Sequence, residues 1–153
     1  SAMPYSLAVN YYNVRPASAK ECKLDLKVVL RDAQVTEGAI TEANVQVENL
    51  NDGPLPMTVA IVGLPGGLEP RHDQLKELVK SGKIAAYEVI GRDVVLYWRQ
   101  MKAGEKVAVP ISCVAAVPGT YTGPASRAYL YYTDEYKSWV EGVKVAIAPR
   151  AQN

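Results

Sequence analysis

Phenylalanine is absent from this chain of 153 residues, histidine occurs once and cysteine twice. The lone His72 excludes a multi-histidine metal centre, and no partner spacing around it supports a Ser-His-Asp site. Two cysteines cannot build a disulfide framework. Neither lies in a C-x-x-C pair or beside the histidine, so thiol catalysis has no sequence support. Charge of one sign is also missing. Seventeen basic and sixteen acidic residues leave a net charge of +1, which creates no field for nucleic acid or an anionic membrane surface. No apolar run approaches the roughly 18–20 residues of a membrane span, so membrane insertion is not expected. The glycine-rich Gly63-Leu64-Pro65-Gly66-Gly67 lacks the Gly-Lys-Ser/Thr end of a phosphate-binding loop and reads as a turn leaving a strand. No cofactor, metal or enzymatic constellation is expected.

What is present is an ordinary globular composition, 48% hydrophobic and 22% charged, with ten tyrosines. The length fits one domain with a core large enough to need no staples. Residues 1–4 read as a cloning remnant without a signal peptide, residues 5–148 as a domain excised from a longer chain, and 149–153 as a frayed tail.

Alternation dominates the chain. Leu7, Val9 and Tyr11 share one parity ahead of Arg15-Pro16, and Cys22–Val28 alternates apolar with charged as a half-buried antiparallel strand does. Val35–Thr41 reads as a turn or short edge, Ala43–Leu50 as a strand, Asn51-Asp52-Gly53-Pro54 as a turn, and Met57–Leu64 as the returning strand. Tyr87–Ile90 and Val94–Trp98 flank Gly91-Arg92-Asp93 as a hairpin. Val107 to Val117 keep one apolar parity, with Pro110 on the other, which favours a sheet edge or a bulge there. Ser126–Thr133 and Trp139–Ile147 complete the set. Cys22 and Cys113 both fall on apolar parity, so they are either two buried thiols or one bridge between facing strands, the latter requiring Cα atoms within about 7 Å. Eight or nine short strands predict an all-β, two-sheet antiparallel sandwich.

One segment breaks the β pattern. After Pro70, Leu75, Leu78 and Val79 form an apolar stripe at helical spacing, predicting a short α-helix over about 73–82 in a crossover. Asp73 serves as N-cap or first-turn acid, and Gly82 is the natural residue just past the end. Lys76 and Lys80 fall on another face. They are a solvated face lying over the sheet, or a cationic pair for an acidic partner whose binding would be salt-dependent. A second candidate surface is the aromatic stretch Tyr129–Tyr136 with Trp139, which would suit an adhesion or carbohydrate-binding sandwich if its rings share an exposed face. The adjacent Asp134 and Glu135 point apart on an extended chain and do not make an acid–base dyad.

The order of motifs then becomes informative. A Leu-Pro-Gly-Gly turn at 64–67 precedes the helix, followed by Ile84-Ala85-Ala86-Tyr87-Glu88-Val89 and Val94-Val95-Leu96-Tyr97. Val117-Pro118-Gly119-Thr120-Tyr121 comes next, and Ala128-Tyr129-Leu130-Tyr131-Tyr132-Thr133-Asp134-Glu135-Tyr136 last. Over about Tyr5 to Ile147 this resembles the C-terminal receptor-binding domain of the α2-macroglobulin and complement family. The resemblance implies a β-sandwich with one crossing helix, in a large secreted or envelope-associated parent that traps proteinases. The family's Cys-Gly-Glu-Gln thioester motif is absent here, which implies a domain that neither inhibits proteinases nor acylates targets by itself. The resemblance further implies docking against other domains of the parent chain and exposure on activation. It also implies binding to a cell-surface receptor with acidic repeats through two helix lysines. Their positions fall on His72, with Arg71 beside it, and on Lys76, with Lys80 as a further candidate.

Overall fold

The computed structural model describes residues 23–150, with backbone alone at 133–136. The strand expected around Leu7–Tyr11, Cys22, and the side chains of Asp134, Glu135 and Tyr136 lie outside the described residues.

Two antiparallel sheets carry the core. The first holds β1 (Leu24–Leu30), β3 (Ile40–Asn49), β8 (Lys106–Ala115) and β5 (Leu68–Pro70), in that order across the sheet. The second holds β11 (Thr133–Val140), β10 (Ser126–Leu130), β4 (Thr58–Gly63), β7 (Asp93–Trp98) and β6 (Ala86–Ile90). Strand parity sorts the side chains as the alternation predicts. Leu24 and Leu26 of β1, Ala43, Val45 and Val47 of β3, and Val109, Ile111 and Cys113 of β8 face inward and are buried. They meet Ala60 and Val62 of β4, Val94, Leu96 and Trp98 of β7, and Ala128 of β10 in one continuous core. All six residues of β4 are buried, because Val59 and Ile61 on its outer side form a second small cluster with Val95 under Tyr97 and Tyr129.

The sandwich predicted from sequence is there, and a third sheet is added to it. Strand β12 (Lys144–Ala148) pairs antiparallel with β9 (Gly119–Thr122) and parallel with β2 (Gln34–Thr36). The run read as one strand from Trp139 to Ile147 is therefore two strands in different sheets, broken at Glu141-Gly142-Val143. At the break the backbones touch: a side chain on Gly142 would run into the Gly123 carbonyl. The segment at 35–41, expected as a turn or short edge, divides between the end of the short edge strand β2, a turn, and the start of β3. At the far end Ala148 pairs with Thr36, and the Arg150 N–H donates to a Glu37 carboxylate oxygen at 3.2 Å, so the chain is tied down through residue 150.

Two motifs distant in sequence meet in this region. Gly67, from the Leu-Pro-Gly-Gly turn, lies directly beneath the Tyr121 ring and Ile147. Its carbonyl accepts the Ala116 N–H at 2.8 Å, and the Tyr121 hydroxyl donates to the Pro118 carbonyl at 3.0 Å. Only a residue without a Cβ allows the ring to approach so closely.

The predicted hairpin is β6–β7, turned by Gly91-Arg92 with Gly91 at φ +61°. The aromatic stretch is a hairpin as well. Strand β10 ends at Leu130, Tyr131 and Tyr132 make the turn, and β11 starts at Thr133.

Candidate docking surface on the crossover helix

The helix α1 (His72–Lys80) carries the chain from β5, at the edge of the first sheet, to β6, at the edge of the second. Leu75 and Leu78 are buried in the core, as the stripe predicts. The expected limits of 73–82 shift to 72–80, and Asp73 is a first-turn acid, not the N-cap. Arg71 occupies the N-cap position without a side-chain cap. The chain is still paired as a strand there, since the Arg71 N–H donates to the Ser112 carbonyl at 2.9 Å while its own carbonyl accepts the first helical bond from Leu75.

Both ends are fixed. At the C-terminus the Gly82 N–H donates to the Val79 carbonyl at 3.1 Å and the Lys83 N–H to the Leu78 carbonyl at 3.0 Å, with Gly82 at φ +82°. These two bonds form a Schellman motif, the termination that a glycine in this place predicts. On the N-terminal side Gln74 bonds sideways to β8. Its Nε2 donates to the Pro110 carbonyl at 2.7 Å, and its Oε1 accepts the Ser112 N–H at 3.1 Å. A helix of nine residues is marginal alone, so these bonds and the two buried leucines hold it.

His72, Lys76 and Lys80 are all exposed. At steps of four they lie along one side of the helix, about 6 Å apart in rise with a gradual drift around the axis. Among the described residues, Lys76 and Lys80 form no ion pair; the salt bridges present there join Arg31 to Asp32 and Glu42, and Lys106 to Glu48. The His72 ring lies 6.3 Å from that of Tyr87. Arg71 is less available, because its guanidinium donates to the Ser112 hydroxyl at 3.3 Å. The sequence marked the stripe but missed Gln74, the residue that seats it; only the outward parity of Pro110 hinted that β8 has an open edge there.

Among the described residues, the aromatic stretch divides between a hairpin tip and the outer side of the second sheet. Tyr131 and Tyr132, 55% and 74% exposed, stand edge to face at the hairpin tip. Tyr129 and Trp139 lie on the outer side of the second sheet, each under a cation: Lys137 over Tyr129 and Arg127 over Trp139, both at 5.3 Å. Cys113 is fully buried and free of any disulfide, and its thiol donates to the Ile111 carbonyl. Burial pushes that thiol up to about 12, so it is neither a nucleophile nor a ligand at neutral pH. Among the described residues no group of three or more His, Cys, Asp or Glu could hold a metal ion, and no helix is long and apolar enough to cross a membrane.

With the helix seated between two sheet edges, the family comparison has a structural frame. Residues 55–140, more than half of the chain, match the A-macroglobulin receptor binding domain. The chain belongs to that family. The matched span runs from the turn before β4 to the end of β11 and so includes the whole crossover helix.

Solved structures agree in fold. Trypsin-activated α2-macroglobulin from Escherichia coli superposes with a TM-score of 0.67 at 16% identity, over 88% of this chain and 11% of that one. The native conformation of the E. coli protein gives 0.68 at 16% identity, over 88% and 10%. A Salmonella α2-macroglobulin mutant gives 0.66 at 17% identity, over 88% and 10%. This macroglobulin receptor-binding domain thus spans about a tenth of the length of those relatives. No curated protein matches the sequence significantly.

Proposed function

We propose that this domain is a non-catalytic docking module of a larger, proteinase-trapping macroglobulin-like protein, secreted or held in the cell envelope. In the resting parent it packs against other domains of its own chain. Once the parent is activated, it presents the helix side carrying His72, Lys76 and Lys80 to an acidic partner such as the repeats of a cell-surface receptor.

The observation that carries this reading is the pair Lys76 and Lys80, exposed and without ion pairs among the described residues, on a helix whose position is fixed at both ends. A fixed scaffold removes much of the ordering cost of binding, and unpaired ammonium groups are free to meet carboxylates. The family match supports docking as the class of function.

The test is a salt titration of binding to acidic receptor repeats, with wild type beside the Lys76→Ala/Lys80→Ala double variant. Salt-sensitive binding that the double variant loses supports the reading. An absence of binding even at low salt removes the receptor and leaves docking within the parent as the role.

A further inference from the structure

Among the described residues, strand β8 has an edge that its own sheet leaves open. Asn49 donates to the Glu105 carbonyl, and the register continues through Val47–Val107 and Val45–Val109. In an antiparallel ladder the bonding direction alternates, so Lys106, Ala108, Pro110 and Ser112 turn their backbone groups away from β3. On that far side β5 covers Cys113 to Ala115, Arg71 covers the Ser112 carbonyl, and Gln74 covers Pro110 and the Ser112 N–H. Among the described residues no strand covers Lys106 or Ala108, and both are exposed.

This open edge forms one wall of a groove of about 780 Å³. The opposite wall is the end of the helix with Lys83–Ala85, together with Trp98 at the end of β7 and Arg99 and Gln100 beyond it. The two parts of that wall are joined, because the Trp98 indole N–H donates to the Lys83 carbonyl at 3.0 Å. Val79, Ile84, Trp98, Val107 and Val109 supply an apolar lining. Lys83 and Arg99 are exposed there and form no ion pair among the described residues. The one acid of the lining, Glu105, is already engaged, accepting the Lys102 N–H at 2.7 Å.

We propose that this groove binds a short, extended, acidic peptide of a partner protein, which adds to β8 as a strand beside Lys106 and Ala108. The ladder supplies the main-chain bonds, the apolar lining takes alternate side chains, and Lys83 and Arg99 meet the carboxylates. Charge also argues against self-occupancy: residues 1–22 carry Arg15 and Lys20 against Glu21 alone.

The probe is an acetylated, amidated peptide alternating Glu and Val over five residues. It is added at low salt to the full 153-residue chain, with backbone amide exchange read by NMR. A second peptide of the same sequence is N-methylated at the amides that would face β8. Exchange at Ala108 and Lys106 is expected to slow at least tenfold on binding. N-methylation and the Ala108→Pro variant should each weaken binding at least tenfold, and Lys83→Glu/Arg99→Glu should weaken it similarly and flatten its salt dependence. Pro110 shows that proline is accommodated on this parity of β8; should Ala108→Pro not fold, the N-methylated peptide decides alone. Equal binding of the N-methylated peptide, or no binding at millimolar concentration, overturns the proposal. So does strong protection of Lys106 and Ala108 in the peptide-free chain, which would assign the groove to the protein's own N-terminal segment.

Discussion

Gln74 acts as a surrogate strand residue for Ser112. Its side-chain amide accepts the Ser112 N–H at 3.1 Å and donates to the Pro110 carbonyl at 2.7 Å, continuing the ladder where β5 stops. One side chain therefore both satisfies part of an edge and docks the helix that carries the candidate surface. Gln74→Ala should lower stability by about 1–3 kcal/mol, since two partly buried backbone groups lose their partners. Gln74→Glu keeps the acceptor and loses the donor at Pro110, so an intermediate loss is expected. Urea denaturation of the three proteins checks the order; an unchanged midpoint in Gln74→Ala would show that the bond does not seat the helix.

The lysine stripe should behave in the opposite way. Lys76 and Lys80 make no ion pair among the described residues, so Lys76→Ala/Lys80→Ala should change stability by no more than about 0.5 kcal/mol. Binding to an acidic partner should nevertheless weaken, with a shallower dependence on salt. Comparing thermal midpoints with binding isotherms separates the two effects.

Gly142 marks the corner where β11 gives way to β12. An added methyl group would meet the Gly123 carbonyl and the Pro124 carbonyl, both main-chain atoms that cannot swing aside. Gly142→Ala should therefore destabilise by roughly 1–3 kcal/mol or more. The disturbance should appear first in amide exchange across the small third sheet, whose central strand follows this corner.

Cys113 gives the protein an alkaline limit. Burial raises its thiol from 9.0 to about 12, so the folded state keeps a proton that the unfolded chain releases. The stabilisation is complete below about pH 9 and is lost as pH rises towards about 12. In a Cys22→Ser background the native protein should resist a disulfide reagent at pH 8 and react once unfolded. Fast reaction of the native protein would contradict the burial.

The two sheets were legible because one face of most strands is buried and the other wet. Val45 and Val47 against Gln46, or Val109 and Ile111 against Pro110, announce both the strand and its inward side. The helix was legible for a similar reason, its leucines recurring at helical spacing and Gly82 marking its end. The third sheet was not. In the sequence Trp139, Val143, Val145 and Ile147 fall on one parity, which reads as a single strand and does not reveal that Lys144–Ala148 departs to pair with β9 and β2. The aromatic stretch misled in the same way, because the Tyr131-Tyr132 turn lacks the glycine or proline that usually marks a reversal.

Alternation, turn residues and the order of motifs by themselves determined the all-β class, the crossover helix, its outward pair Lys76 and Lys80, and the family. Those are properties of neighbours along the chain, which local geometry and burial impose directly. Tertiary structure alone decided that Gly67 sits beneath Tyr121, that Gln74 stands in for a strand, and that no strand among the described residues covers Lys106 and Ala108. Each depends on where a distant segment ends in space, and no spacing within one segment encodes that.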